Sequence, residues 1–215
     1  QAMSSHMTGF TPVAEVVPPG EQGVAKIKHF RVSSAESAVT SMRAAFGRPD
    51  EFVPEGSYVR LEVQGGLMMT DTRMEQHTNA NFVRKATGDV LIAGLGIGMV
   101  LIPVLKKPEV KSVLVIEKYQ DVIDLVLPAI MAKVPEAKDK LKVVCWDALT
   151  WAPPKGAKWD TLYFDIWPGI TTDNLDEITL LKRRYARRKN EGGWMGAWVE
   201  DKLRRIERLD RDRRR

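Results

Sequence analysis

The sequence predicts an α/β protein built on a doubly wound, mostly parallel sheet, with a small N-terminal α+β extension of hairpins and helices. Three observations lead to this prediction. From Gly88 onward, short continuous apolar runs alternate with helical stretches, as they do when strands are buried on both faces of a sheet. A glycine-rich segment directly follows the first of these runs. The first third of the chain instead carries hairpin signals and capping boxes.

The extension is expected to begin with a hairpin and a helix. Residues 13–17 and 24–30 are rich in β-branched side chains, and the Pro-Pro-Gly segment at 18–20 indicates a turn between two strands. A Ser-x-x-Glu capping box at 33–36 predicts the start of a helix, and Gly47 is suited to end it as a left-handed cap.

A second hairpin and helix are expected next. Residues 58–63 and 67–70 flank a Gln-Gly-Gly turn, which predicts two antiparallel strands. Thr72 and Glu75 fit another capping box, and the helix that they open runs to about Lys85.

The alternating part of the chain is expected to supply the parallel sheet. The apolar runs that predict its first strands are residues 90–93, 112–116, Leu141–Cys145 and 161–164. The helical stretches between and after them are residues 98–106, 119–133 and 173–189. Residues 193–199 are expected to add a fifth strand, and residues 200–212 a closing helix with apolar side chains at helical spacing.

Length and composition restrict the class of protein. A chain of 215 residues, with 44% hydrophobic and 28% charged residues, is expected to fold around one principal core. The single cysteine, Cys145, allows no internal disulfide, and no apolar run approaches a membrane span. A cytoplasmic location is therefore expected. The predicted organisation is a vector remnant at 1–7, the extension at 8–87, the sheet domain at 88–199 and a basic helix and tail at 200–215.

Charge is distributed unevenly along the chain. The formal net charge is +5, but from Lys182 onward there are 14 basic and 6 acidic residues, so that this region carries +8 and the preceding part −3. Such a tail is a candidate contact for nucleic acid. The alternative is a solvated helix whose charges pair at a spacing of four residues, as Glu200 and Arg204 would.

The first predicted strand leads into a glycine-rich turn. Gly94, Gly96 and Gly98 follow it at G-x-G-x-G spacing, and Met99 stands where a dinucleotide fingerprint would place its last glycine. Glycine permits unusual backbone angles there and lets a ligand approach main-chain N–H groups. The segment therefore predicts a nucleotide-type loop, with a purely structural turn as the alternative.

Acidic residues follow the next two predicted strands. Glu117 ends the second strand, where a carboxylate can accept hydrogen bonds from both hydroxyls of a ribose. Asp147 follows the third strand, within reach of an adenine amino group that Trp146 or Ala148 would cover. The alternatives are an acid in the first turn of a helix for Glu117 and a helix cap for Asp147.

The fourth strand and the second hairpin supply candidates for the reaction. Asp165 ends the fourth strand, where a carboxylate could accept a proton, and Trp167 could face a cationic group. Asp71, Glu75 and His77 are candidate substrate-facing residues. The alternatives are a strand-end turn for Asp165 with Trp167 in the core, helix capping for Glu75 and a solvated position for His77. No Cys/His cluster has the spacing of a metal site.

These motifs, in this order, resemble those of the class I S-adenosylmethionine-dependent methyltransferases. The resemblance rests on Asp89-Val-Leu-Ile-Ala-Gly-Leu-Gly-Ile-Gly98, Val-Leu-Val-Ile-Glu117, Trp146-Asp147 and Tyr163-Phe-Asp165, and it covers roughly residues 88–199. It implies a Rossmann-like sheet that binds S-adenosylmethionine at its carboxyl edge. Within that group, Gly65-Gly-Leu-Met-Met-Thr-Asp71 and the helix after it are similar to spermidine synthases.

The resemblance carries over to particular residues. The cofactor-binding residues that it implies are Gly94, Leu95, Gly96, Gly98, Glu117, Lys118, Trp146, Asp147 and Asp165. The substrate-facing candidates are Asp71, Glu75, His77 and Trp167, and the catalytic candidate is Asp165. Spermidine synthases carry D-x-x-D-P after the fourth strand, whereas here Pro168 takes the place of the second aspartate.

The sequence thus predicts an S-adenosylmethionine-dependent transferase that moves a methyl group to a small-molecule acceptor. One alternative is a spermidine synthase-like aminopropyltransferase with an altered acceptor. Another is a non-catalytic adenosylmethionine-binding module whose basic tail contacts nucleic acid. A homo-oligomer is compatible with the sequence, and no membrane partner is expected.

Overall fold

The computed structural model describes residues 7–46 and 52–213, and these residues form two sheets. The first sheet is antiparallel and the second is parallel, with five strands. The predicted fold class is therefore confirmed. The predicted end of the first helix at Gly47 lies outside the described residues, as do residues 1–6 of the vector remnant expected at 1–7.

The N-terminal part contains the antiparallel sheet and two helices. Its strands, which are neighbours in chain order, are β1 (Gly20–Gln22), β2 (Ala25–Val32), β3 (Gly56–Val63) and β4 (Gly66–Thr70). Its helices are α1 (Ser34–Ala45) and α2 (Arg73–Lys85). The predicted capping box of α1 is present, because the Ser33 and Glu36 side chains each accept a hydrogen bond from the other residue's N–H. The hairpin of β3 and β4 is also confirmed.

Two predictions for this part are wrong. Residues 13–17 are not a strand; Val13–Glu15 form one turn of 3-10 helix, and β1 pairs with β2 instead. The Val13 N–H donates to the Asp71 carboxylate, and the Val13 and Val17 side chains are buried, so core packing holds this segment off the sheet. Helix α2 begins as predicted, but Thr72 makes no capping hydrogen bond through its side chain.

The second part contains the parallel sheet in the order β7-β6-β5-β8-β9. Its strands are β5 (Gly88–Ala93), β6 (Val110–Glu117), β7 (Leu141–Cys145), β8 (Trp159–Phe164) and β9 (Lys189–Ala197). Its helices are α3 (Leu101–Leu105), α4 (Gln120–Lys133), α5 (Asn174–Tyr185) and α6 (Glu200–Arg213). Helices α3 and α5 are shorter than predicted, and β9 begins four residues earlier than the predicted fifth strand.

Helices cover both faces of the parallel sheet. Along β5 the side chains alternate: Val90 and Ile92 join the core on the side of α3 and α4, and Leu91 joins the core on the side of α5. Strand β7 lies at an edge of the sheet, and Cys145 at its end is exposed. The apolar neighbours of Cys145 in the sequence would instead suggest a position in the core. In the described ranges, no helix is both long and apolar enough to cross a bilayer.

The antiparallel sheet packs against helix α4 of the parallel part. The Asp121 carboxylate, in the first turn of α4, accepts a hydrogen bond from the Val24 N–H at the turn between β1 and β2. Gly23 in that turn has a φ of +50° and faces the same carboxylate, so a side chain there would collide with it. This contact and helix α2 bring the N-terminal part over the carboxyl edge of the parallel sheet.

Candidate functional site

A cavity of about 360 Å³ lies at the carboxyl edge of the parallel sheet, under β3, β4 and α2. Its volume is in the range of pockets that hold small ligands and cofactors. The polar and charged side chains that line it are Glu75, Glu117, Lys118, Tyr119, Asp147, Asp165, Trp167, Glu177 and Trp198. The remaining lining is the start of the glycine loop and a set of apolar side chains. The cavity has two chemically different ends.

The glycine loop forms the floor between these ends. Gly94 has a φ of +100° and lies against the Asp165 carbonyl, so that a side chain at this position would strike the backbone of the neighbouring strand end. Gly94, Leu95 and Gly96 line the cavity. Gly98 does not; its missing side chain makes room for Ile130 of α4, so its role is in packing.

Glu117 holds the loop in position. Its side chain is only 7% exposed, and the two carboxylate oxygens accept hydrogen bonds from the Leu95 N–H at 2.8 Å and the Tyr119 N–H at 3.0 Å. Each carboxylate oxygen has a further lone pair, so the group can still accept a hydrogen bond from a ligand in the cavity. The position is therefore prepared for hydroxyl donors.

Asp147 and Lys118 form an ion pair at the same end. The Lys118 Nζ lies 3.0 Å from Asp147 Oδ2, and the Leu149 N–H donates to Asp147 Oδ1 at 2.9 Å. Partial burial acts to raise the pKa of Asp147, but the hydrogen bonds from Lys118 and Leu149 outweigh it and hold this pKa below its usual value. The hydrogen bond to Asp147 in turn raises the pKa of Lys118. At neutral pH both groups are charged.

Glu75 and Asp165 stand at the other end and have no such partners. Glu75, on α2, is only 9% exposed, and Asp165 follows β8. Within the described residues, neither carboxylate receives a hydrogen bond. Burial, followed by the nearby charge of Asp165, raises the pKa of Glu75 to about 8, and burial raises the pKa of Asp165 to about 7. The two groups can therefore hold and release protons near neutral pH.

Aromatic side chains border this carboxylate pair. Trp198, directly after β9, is 4% exposed, and its indole N–H donates to Thr78 on α2 at 3.0 Å. The Trp167 indole N–H donates to the Glu177 carboxylate at 2.6 Å. With their N–H groups engaged, the two rings contribute apolar, electron-rich walls.

Methionines cover the glycine loop from above. The Met69 sulfur, on β4, accepts a hydrogen bond from the Ile97 N–H at 3.4 Å and lies against Gly96. Met68 also lines the cavity. Thioether side chains are flexible and polarisable, so this roof can adapt to a ligand that enters.

The structure brings together most of the residues expected at the site. Those that line the cavity are Gly94, Leu95, Gly96, Glu117, Lys118, Asp147, Asp165, Glu75 and Trp167. Four others do not line it: Gly98, Trp146, Asp71 and His77. Trp146 is 56% exposed and His77 is also exposed. Asp71 is buried, and its carboxylate accepts hydrogen bonds from the N–H groups of Val13 and Val59, so it stabilises the extension.

Sequence reasoning missed Glu177 and Trp198. Glu177 is in the first turn of α5, where an acid is common without any ligand, so its position gave no signal. Trp198 had a usable signal, since it directly follows β9 and the carboxyl ends of parallel strands share one edge. Among the described residues, no group of three or more His, Cys, Asp or Glu side chains is placed to hold a metal ion.

Several basic side chains of the C-terminal region bind other residues of the same chain. Lys182 and Arg204 both contact the Glu200 carboxylate, at distances of 2.9 Å. Arg184 donates to the Leu149 carbonyl, and Arg188 donates to the Pro154 carbonyl. Lys182 joins α5 to α6, and Arg184 and Arg188 join the end of α5 to the loop between β7 and β8. A contact with nucleic acid stays a prediction.

No protein-family model and no curated protein matches the chain. Among solved structures, it is similar to spermidine synthase from Thermotoga maritima, with a TM-score of 0.52 and 16% identity over 83% of this chain and 55% of that one. It is also similar to a spermidine synthase in complex with the transition state analogue AdoDATO, with a TM-score of 0.47 and 18% identity over 65% and 48% of the two chains. The glycopeptide N-methyltransferase MtfA matches with a TM-score of 0.40 and 16% identity over 57% and 52%.

The likeness to the Thermotoga maritima enzyme is one of fold. Because 83% of the chain is matched, the likeness extends beyond the parallel part into the N-terminal part. The chain spans little more than half the length of that enzyme. The fold is thus similar to that of this spermidine synthase, and it has the Rossmann-like sheet that the resemblance of the motifs implies.

Proposed function

We propose that this protein is an S-adenosylmethionine-dependent transferase that moves a methyl group to a small-molecule acceptor. One observation carries the proposal: the carboxylates of Glu75 and Asp165, which receive no hydrogen bond from the part of the chain that the structure describes, share a cavity with the glycine loop and Glu117. A nucleoside-type donor and an acceptor would therefore meet in one enclosed space. The fold-level likeness to known transferases supports the same reading.

The end of the cavity at β6 and β7 suits the donor. Glu117 would accept hydrogen bonds from the ribose hydroxyls with the lone pairs that Leu95 and Tyr119 leave free. Asp147, held by Lys118, would face the adenine. Leu95 and Gly96 would present the loop backbone to the amino acid part of the donor. The cavity volume and the buried acceptor at Glu117 fit such a group.

The end with Glu75 and Asp165 suits the acceptor. A bound sulfonium donor supplies an activated carbon: the acceptor's lone pair forms the new bond, the carbon–sulfur bond breaks, and its electron pair stays on sulfur. Asp165 would take the proton that the acceptor loses, and its raised pKa of about 7 makes it a suitable base at neutral pH. Trp167 and Trp198 would exclude water and favour a cationic group.

A second candidate reaction, aminopropyl transfer, is favoured by the charge of the lining. Five carboxylates line the cavity within the described residues, against a single basic side chain, Lys118, which Asp147 already engages. A donor's carboxylate would find no cationic partner there, so a decarboxylated donor would suit the site. Pro168, in place of the second aspartate of spermidine synthases, counts against this candidate.

Mass spectrometry of small molecules that co-purify with the native protein would test the proposal. We expect S-adenosylhomocysteine if methyl transfer is the reaction, and methylthioadenosine if aminopropyl transfer is. A bound nicotinamide dinucleotide would overturn the proposal. Calorimetry with S-adenosylmethionine and its decarboxylated form then separates the two candidates by their relative affinity.

A Glu117→Gln variant, compared with the parent protein, tests whether a co-purifying nucleoside is bound in this cavity. It keeps an oxygen that can accept one of the two backbone hydrogen bonds and loses the anionic acceptor in the cavity. We expect it to fold and to retain less nucleoside through purification. Equal retention would show that the nucleoside is bound elsewhere.

A further inference from the structure

Side chains of helix α2 and strand β8 meet at two levels, one at the cavity and one below it. Tyr163 and Asp165 are two residues apart on or just after β8, so both lie on the same face of the sheet. Glu75 and Asn79 are four residues apart on α2, so both lie on the same face of the helix. The carboxylate pair forms the upper level, at the cavity, and Tyr163 with Asn79 forms the level below.

The lower level is joined by hydrogen bonds. The Tyr163 hydroxyl donates to Asn79 Oδ1 at 2.7 Å, and this contact is buried. The Asn79 amide in turn donates to the Glu75 carbonyl at 2.9 Å. A continuous path of two hydrogen bonds therefore connects the sheet to the backbone of the residue that carries one of the two carboxylates.

Ring packing reinforces this path. The Tyr163 ring stacks on the Phe82 ring of α2, with centroids 4.1 Å apart and an angle of 7° between the planes. Trp198, beyond β9, adds its separate hydrogen bond to Thr78. Because the hydroxyl is the polar anchor of this face, α2 cannot shift along or away from β8 without breaking a buried hydrogen bond.

Such a restraint is needed because the Glu75 and Asp165 carboxylates, which form the upper level, repel each other when both are charged. Glu75 is buried and Asp165 is partly buried, and neither carboxylate receives a hydrogen bond from the described residues. Such a pair favours separation and hydration once both groups are ionised. The charge of Asp165 helps to raise the pKa of Glu75. Burial is the main cause that raises the pKa of the Tyr163 phenol well above its usual value, and the nearby charges of Asp165 and Glu75 raise it further. The tyrosine therefore keeps its proton and remains a hydrogen-bond donor.

We propose that Tyr163 is a positioning residue, which acts through Asn79 to hold Glu75 against Asp165 in the cavity. Its importance for transfer rests on the proposed function, whereas the positioning itself does not. The competing explanation is that Tyr163 only fills space between α2 and the sheet. The two explanations differ in what removal of the hydroxyl alone does to the carboxylates.

Carboxyl-carbon NMR of the full chain, labelled at Glu and Asp and free of ligand, tests the proposal. In Tyr163→Phe the ring packing stays and the hydrogen bond is lost. We expect the higher apparent pKa of the carboxylate pair to fall by about one unit, because Glu75 moves into water and away from Asp165. The matched control is Tyr185→Phe, which removes a buried hydroxyl that has no hydrogen-bond partner within the described residues.

A double-mutant cycle identifies the path. Asn79→Ala should lower the same apparent pKa, and the Tyr163→Phe/Asn79→Ala protein should shift no further than either single variant. The Asn79→Ala protein also serves if Tyr163→Phe fails to fold. An unchanged titration in a folded variant, or an equal shift in Tyr185→Phe, would overturn the positioning role.

This outcome is independent of the reaction. A shifted titration in a protein that binds no nucleoside would leave the positioning role standing and refute the proposed function. An unchanged titration in a protein that co-purifies with S-adenosylhomocysteine would do the reverse.

Discussion

The two ends of the cavity contain the same kind of side chain in opposite states. At the β6 and β7 end, Glu117 and Asp147 accept hydrogen bonds from backbone N–H groups, and Lys118 neutralises Asp147. At the α2 and β8 end, Glu75 and Asp165 receive no hydrogen bond from the described residues, and burial raises the pKa of each. The first end is satisfied before a ligand arrives, whereas the second is not.

This difference shows how one cavity can combine binding and proton transfer. A carboxylate fixed by backbone donors keeps its position, which suits the recognition of hydroxyl and amino groups. A buried carboxylate without donors keeps a raised pKa, at a cost in stability, and can exchange a proton with a reacting group. The variants below test whether the two ends differ in this way.

Asp165→Asn should have the largest effect. We expect turnover of an identified acceptor to fall by about 10²- to 10⁴-fold, because the amide cannot take the acceptor's proton. Affinity for S-adenosylmethionine should change little, since the donor is held at the other end. Steady-state kinetics and calorimetry on the same preparation check both statements. Retained turnover would remove the contrast, because Asp165 would then not be the group that takes the acceptor's proton.

Glu75→Gln should stabilise the protein at alkaline pH. Because burial raises the pKa of Glu75 to about 8, the folded state binds a proton more tightly than the unfolded state. Its contribution to stability is full below the unfolded pKa of about 4.5 and is lost as the pH rises towards 8. We expect the variant to gain on the order of 2–4 kcal/mol at pH 8 and little at pH 4.

Urea unfolding at both pH values measures this gain. Glu62→Gln is a matched control, because Lys28 engages that carboxylate and, through a hydrogen bond, holds its pKa below the usual value. The control should not become more stable between pH 4 and pH 8 relative to the parent. A Glu75→Gln protein that is equally stabilised at both pH values would show that Glu75 is not the titrating group.

Glu117→Gln should weaken donor binding by roughly 10- to 100-fold, which corresponds to the loss of about one hydrogen bond to a charged group. Some loss of stability is also expected, since the Leu95 and Tyr119 N–H groups share this carboxylate. Calorimetry measures the affinity, and thermal unfolding shows whether the loop has moved. Unchanged affinity would place the donor at another part of the cavity.

Trp146→Ala should have the smallest effect. The side chain is 56% exposed and does not line the cavity, so donor affinity should stay within about twofold of the parent. Trp198→Phe is the contrasting variant, because it removes the hydrogen bond to Thr78 beside Glu75. A large effect of Trp146→Ala on donor affinity would restore the sequence-based expectation that this ring covers the adenine.

Local patterns predicted much of the fold because they depend on neighbours in the chain. The capping box at Ser33 and Glu36 and the hairpin of β3 and β4 formed as expected. The same reasoning failed for residues 13–17, where β-branched side chains fill a core beside Asp71 instead of forming a strand. A propensity cannot reveal which distant acid will bind a backbone N–H.

The candidate site also contains residues that the sequence could predict and residues whose role depends on tertiary contacts. The acids at strand ends, Glu117, Asp147 and Asp165, follow from topology, since parallel strands bring their carboxyl ends to one edge. Glu75 reads equally well as a helix cap, and only the placement of α2 over β8 turns it towards Asp165. Asp71, four residues before it, is directed into the core of the extension.

From its own order of residues, the chain determines an alternating α/β sheet, a glycine loop after the first parallel strand and an acid at or just after the end of each of the next three strands in the chain. These features are short-range, and periodicity and glycine chemistry specify them. The tertiary structure decides which carboxylates receive backbone donors and which remain without them. That difference depends on contacts between segments as distant as residues 75 and 165, and it sets burial, proton affinity and the chemistry that each end of the cavity can perform.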